Sequence, residues 1–177
     1  VGQLGLNYVN DQYGDRSSPI QLGSGTDWKS IGGVKTDGTM WAWGGNENGH
    51  CGQNSVNNGY SSPVQVGTST DWALKLCGVG EYTQDTASLT VAVKTDGTLW
   101  TWGKNSYGQL ALNDQGPGQS TARSSPTQVG SSTDWPTSGE DEFKWAWQKD
   151  GESIQVIKTD GTLWTWGAGP GGYLAHD

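Results

Sequence analysis

The ten residues KTDGTLWTWG occur twice without a change, at Lys94 to Gly103 and at Lys158 to Gly167, and KTDGTMWAWG at Lys35 to Gly44 departs from them at two positions. A chain that restates one segment three times folds as a series of like units, each burying its apolar face only against a neighbour. The segment itself reads as a hairpin. Asp37-Gly38, Asp96-Gly97 and Asp160-Gly161 supply the positive φ that a tight turn requires, and β-branched and aromatic residues on either side favour extended pairing. In the strand LWTW, alternation puts Trp100 and Trp102 on one face and Leu99 and Thr101 on the other.

Two further markers recur in fixed order with this hairpin. SSP begins at Ser17, Ser61 and Ser124, and TDW begins at Thr26, Thr70 and Thr133. The best-formed repeat gives four short strands, around Pro63 to Val66, Trp72 to Leu76, Leu89 to Lys94 and Leu99 to Trp102. Four antiparallel strands per repeat define a propeller blade. The expectation is an all-β fold, a β-propeller of four-stranded antiparallel blades with about three blades present. The whole of residues 1–177 belongs to it, with repeats at roughly 1–25, 26–69, 70–132 and 133–177. In such a stack Trp41, Trp43, Trp100, Trp102, Trp164 and Trp166 form a repeated aromatic layer between consecutive sheets. The competing reading makes them exposed rings that stack on sugars.

The first repeat is short. Trp28 to Lys35 spans 7 residues (35 − 28), against 22 (94 − 72) and 23 (158 − 135) in the others. Two five-residue strands joined by a two-residue turn need about 12 residues, so its second and third strands cannot both form. The expectation is that about 15 residues are missing between Ile31 and Val34; a defective blade is the alternative. Three repeats also fall short of the roughly 4 to 8 blades that close a ring. The chain therefore reads as part of a longer polypeptide, or else several chains share one ring.

Composition agrees with this architecture. Only 32% of residues are hydrophobic, but eleven are Trp against one Phe and one Met, and each buried indole removes roughly 150–250 Å² from water. Twenty-nine Gly and the lack of any 3.6-residue apolar period point to a chain that turns often. A formal charge of −8 repels phosphate backbones, so nucleic acid is not expected as a partner. No apolar run approaches the roughly 20 residues of a membrane span, and no secretory core segment is present.

Little in the sequence resembles a reaction centre. His50 and His176 follow the WxWG strands without a carboxylate or serine at a recognisable spacing, and read as solvated loop residues. Cys51 and Cys77 specify neither a disulfide framework nor a metal site. NDQYGD at Asn10 to Asp15 offers oxygens without the spacing of a calcium loop. GAGPGG at Gly167 to Gly172 does not match a phosphate loop. No catalytic residue, cofactor or metal is expected. The one segment set apart is EDEFKWAWQKDGES, where Trp145 and Trp147 fall on one side of a short extended stretch and are candidate ligand-contacting aromatics.

Taken together, SSPxQV, TDW, KTDGTLWxWG and the NxxGQL loop at Asn105 to Leu110 resemble the repeat of the regulator of chromosome condensation family. The resemblance covers essentially the whole chain and implies a seven-bladed ring. The family's Gly-x-x-His-Thr step before the third strand is not found; Glu81-Tyr82-Thr83 stands near that place. The founding member acts on a small GTPase and docks on nucleosomes, a plant member senses ultraviolet light through GWRHT tryptophans, and a secreted bacterial member inhibits β-lactamases. The acidic balance and the missing GWRHT motifs separate this chain from the first two. Its wording is most similar to bacterial and bacteriophage versions of the repeat. The resemblance thus implies a non-enzymatic structural or adhesive segment of a virion or cell-surface protein, with protein partners in a larger assembly. A glycan-binding module, or a regulator of a GTPase or secreted enzyme, are the alternatives.

Overall fold

The computed structural model describes residues 18–27, 33–77, 88–117, 120–138, 145–148 and 153–168. Every regular element among them is a strand: β1 (Trp41–Asn46), β2 (Asn57–Gln65), β3 (Trp72–Cys77), β4 (Leu89–Lys94), β5 (Leu99–Gly103), β6 (Arg123–Gln128), β7 (Trp145–Gln148), β8 (Ser153–Ile157) and β9 (Leu163–Gly167). They form three antiparallel sheets, β1-β2, β3-β4-β5-β6 and β7-β8-β9. Strands next to each other in sequence are next to each other in the sheet, because short turns leave an antiparallel return as the simplest pairing.

The second sheet is a complete four-stranded blade. β4 and β5 pair Val93 with Leu99, Ala92 with Trp100, Val91 with Thr101 and Thr90 with Trp102. That register sorts side chains by face. Ala92 and Trp102 lie in one apolar cluster with Trp100 packed against it, while Leu89, Val91, Val93 and Leu99 lie in another. The blade is therefore apolar on both sides, as a sheet held between two others must be.

The first cluster joins blade two to blade one through Val34, Met40, Ala42, Cys51 and Val66. The second joins it to blade three through Trp135, Ile154 and Val156, with Trp166 packed against it. Trp102 is fully buried, whereas Trp164 is 48% exposed and Leu163 66% exposed. Trp164 lies opposite Val156 on the face toward blade two and packs on Trp135, yet it is more exposed than a uniform aromatic layer implies; Leu163 is on the other face, which no described sheet covers.

One strand sits elsewhere than its sequence position implies. The SSP segment of residues 61–63 lies in β2, hydrogen-bonded to β1, and so closes the first blade instead of opening the second. β6, which carries Ser124-Ser125-Pro126, closes blade two in the same way on the free edge of β5. In the first blade Val34 bridges Met40 ahead of β1. Ile31 and Gly32, where the missing stretch is expected, lie outside the described residues.

Candidate functional site

The repeated residues build one small machine at the turn of each hairpin. In KTDGT the carboxylate of Asp96 accepts the amide of Thr98 at 2.9 Å and its hydroxyl at 2.7 Å, and the Thr98 oxygen accepts the Trp100 indole N–H at 2.9 Å. Asp37, Thr39 and Trp41 repeat this relay at 2.9, 2.7 and 2.9 Å, and Asp160, Thr162 and Trp164 at 2.9, 2.7 and 2.8 Å. The threonine hydroxyl, then its amide, holds each aspartate below the ordinary carboxylate range. Gly38, Gly97 and Gly161 sit at φ of 79°, 79° and 86°, which is the reason for glycine there.

The lysine that opens each hairpin reaches back to the TDW aspartate. Lys35 pairs with Asp27 at 3.1 Å, Lys94 with Asp71 at 3.1 Å and Lys158 with Asp134 at 2.8 Å. Each ammonium also lies over indoles: Lys94 stands 5.1 Å from the Trp72 ring and 4.8 Å from Trp100, and Lys158 4.4 Å from both Trp135 and Trp164. The aspartate side chains are between 39% and 46% exposed, so each ion pair is worth at most about 1 kcal/mol. The paired rings contribute on the same scale, about 0.5–2 kcal/mol for a partly desolvated cation. The cation is thus absorbed in holding TDW to its own hairpin.

Past the hairpin strand, a buried asparagine shapes the loop. The Asn46 side-chain oxygen accepts the Cys51 amide at 2.9 Å, and Asn105 accepts the Leu110 amide at 3.0 Å. On its other side Asn105 donates to the Asp114 carbonyl at 2.9 Å, and Asp114 in turn pairs with Arg123 of β6. Folded this way, the loop offers a carbonyl to the next blade. Trp102 donates its indole N–H to the His50 carbonyl at 2.9 Å, and Trp166 donates to the Gln109 carbonyl at 2.9 Å. Thr90 also donates to the His50 carbonyl, at 2.8 Å.

His50 is therefore a seam residue through its backbone, a role that the sequence reading as a solvated loop histidine missed. The signal lay in the fixed offset of His50 and Gln109 after their asparagines. Trp145 and Trp147 lie in β7, opposite Val156 and Ile154 of β8. His176, the Asn10 to Asp15 segment and most of the Gly167 to Gly172 stretch fall outside the described residues. Cys51 is a buried thiol that donates to the Gly45 carbonyl at 3.3 Å. Among the described residues no three His, Cys, Asp or Glu side chains gather as a metal site would require.

The model of the regulator of chromosome condensation (RCC1) repeat matches residues 96–137. Those residues resemble an RCC1 repeat. The match runs from the Asp96-Gly97 turn through β5, the Asn105 loop and β6 past Trp135, so the matched unit holds the Asp96-Thr98-Trp100 relay and one partner of each indole-to-loop bond, Trp102 and Gln109. Among solved structures the chain resembles human WBSCR16, with a TM-score of 0.52 and 17% identity over 80% of this chain and 32% of that one. It also resembles yeast RCC1 (Prp20) in the structure bound to Kap60, with a TM-score of 0.52 and 16% identity over 81% of this chain and 31% of that one. At these identities the likeness is one of fold, that of an RCC1-type propeller, and the chain spans about a third of each of those proteins. No curated protein matches the chain by sequence.

Proposed function

We propose that this chain is a non-enzymatic β-propeller segment that serves as a binding scaffold, a structural or adhesive part of a bacteriophage virion or bacterial surface protein. The observation that carries the reading is how its recurring polar chemistry is spent. The Asp, Thr, Lys and Asn side chains of the repeat bond to one another or to backbone within a blade, and the second indole of the hairpin strand bonds across to the preceding loop. The chain as a whole carries a formal net charge of −8, suited to protein contacts and unsuited to phosphate backbones. The fold neighbour yeast RCC1 is seen bound to a protein, Kap60. The resemblance of KTDGTLWxWG to bacterial and bacteriophage repeats supports the placement at a virion or cell surface.

Antibody labelling of intact particles and cells from the native source tests this reading. Labelling of the outer surface without permeabilisation is the expected result. Signal confined to the cell interior, with none on particles, overturns it.

A further inference from the structure

We infer that Asn58-Gly59, in β2, is a site of spontaneous self-modification, where the Asn58 side chain loses its amide and the chain becomes a mixture of aspartate and isoaspartate. The reaction needs no partner but water. The Gly59 backbone nitrogen attacks the side-chain carbonyl carbon of Asn58, a new C–N bond forms, and the side-chain nitrogen leaves as ammonia, taking with it the proton of the attacking amide. Water then opens the resulting cyclic imide at one of its two carbonyls. Opening on one side gives aspartate; opening on the other leaves the main chain running through the side-chain carbon, which is isoaspartate. Glycine in the following position favours the attack, because without a Cβ its amide nitrogen is the least hindered. The chain has two Asn-Gly pairs, Asn48-Gly49 and Asn58-Gly59.

The fold treats the two pairs differently. Gly49 is buried, its amide donates to the Asn46 carbonyl at 3.0 Å, and a Cβ on it would stand 2.6 Å from the Ser124 Cα of β6. The next blade lies on that peptide, so the seam must open before its nitrogen can turn toward Asn48. Asn58 is exposed and Gly59 half-buried. Between the pairs Gly44–Tyr60 and Asn46–Asn57, Gly45 alone stands opposite Asn58 and Gly59, so these two residues form a bulge in the ladder. The Gly59 amide donates at 2.9 Å to the side chain of Asn57, itself exposed. A lone bond to a side chain in contact with water exchanges readily for one to water. The product fits less well than the asparagine. Isoaspartate lengthens the main chain by a carbon beside Gly59, where even a Cβ would collide with the Gly44 carbonyl of β1. Asn57, one residue before, holds the loop-shaping Asn46 side chain at 3.2 Å. Conversion at Asn58 is thus a slow, one-way loosening of the β1-β2 pair, and it adds one negative charge to the formal −8.

Peptide mapping by mass spectrometry on the 177-residue chain, aged at mildly alkaline pH and using fragmentation that separates isoaspartate from aspartate, tests this. The same ageing in denaturant gives the rate of each pair without structure. In the folded chain Asn58 should convert at least roughly tenfold faster than Asn48, the ratio reflecting the harder local opening at Gly49, and in denaturant the two should convert at similar rates. Both aspartate and isoaspartate should appear in the Asn58 peptide. An Asn58 that stays intact in the folded chain while it converts in denaturant overturns the inference. Equal conversion of Asn48 and Asn58 in the folded chain overturns it as well. Aspartate without isoaspartate does the same, since direct hydrolysis of the amide forms no imide. Each of these outcomes leaves the surface-labelling result untouched.

Discussion

Asp96, Thr98 and Trp100 form a chain of three acceptors and donors in which the ionised carboxylate is favoured, since its Oδ1 accepts from both the hydroxyl and the amide of Thr98. Its folded pKa is lowered first by that hydroxyl and then by that amide. The stabilisation is therefore complete above the unfolded aspartate value of about 3.9 and disappears as pH falls through the lower folded value. Thermal unfolding followed from pH 7 to pH 2 should show a loss below pH ~4 that shrinks in Asp96→Asn, whose amide cannot lose a charge. An equal acid loss in the variant would remove the relay from the account. Asn105 has a sharper role, because it is fully buried and the Leu110 amide has it as acceptor. Asn105→Ala should cost about 1–3 kcal/mol in chemical denaturation, the penalty for orphaned buried polar groups. Ser106→Ala, next to it and half-buried, should cost well under 1 kcal/mol.

At the level of the element, the hairpins were the most legible part of the chain. Asp-Gly flanked by alternating apolar residues names a turn and a strand face at once, and Leu99, Trp100 and Trp102 lie on the faces that alternation assigns them. The SSP strand was harder to place, because a short polar run beside Pro pairs with whichever free edge is closest. Here that edge is the preceding hairpin strand across a loop shaped by Asn46 or Asn105, and no local pattern states it. The seam bonds to the His50 and Gln109 carbonyls left only an indirect signal, the fixed offset after Asn46 and Asn105, for a related reason: an acceptor on the backbone leaves no mark on its own residue's identity. The turn glycines give a paired test. Gly97→Ala meets both a positive φ and the Thr133 carbonyl, whereas Gly161→Ala meets only the φ. The first should lose roughly 2–6 kcal/mol from strain and overpacking together, the second about 1–3 kcal/mol from strain alone. Similar losses in equilibrium unfolding would show that the seam at Gly97 is looser than the geometry indicates.

In the whole molecule, stability passes from blade to blade through nearest neighbours. Among the described residues blade two is covered on both faces, and blade three on one, with Leu163 and Ile157 open on the other. Amide exchange should report this directly. The amides of β9 should exchange at least about tenfold faster than those of β5, although residues 94–103 and 158–167 are identical in sequence. Equal protection in the two strands would mean that the sheets unfold as one unit. The identity of those ten residues has a last consequence, and it is genetic. Each seam is fastened by an amide to a turn carbonyl and an indole to a loop carbonyl, and both seams use the same repeat positions. A crossover between the two coding stretches removes or adds 64 residues (158 − 94), one complete blade, and leaves every fastening supplied. Blade number in a gene of this kind is a quantity that recombination can count up or down without rewriting a single contact.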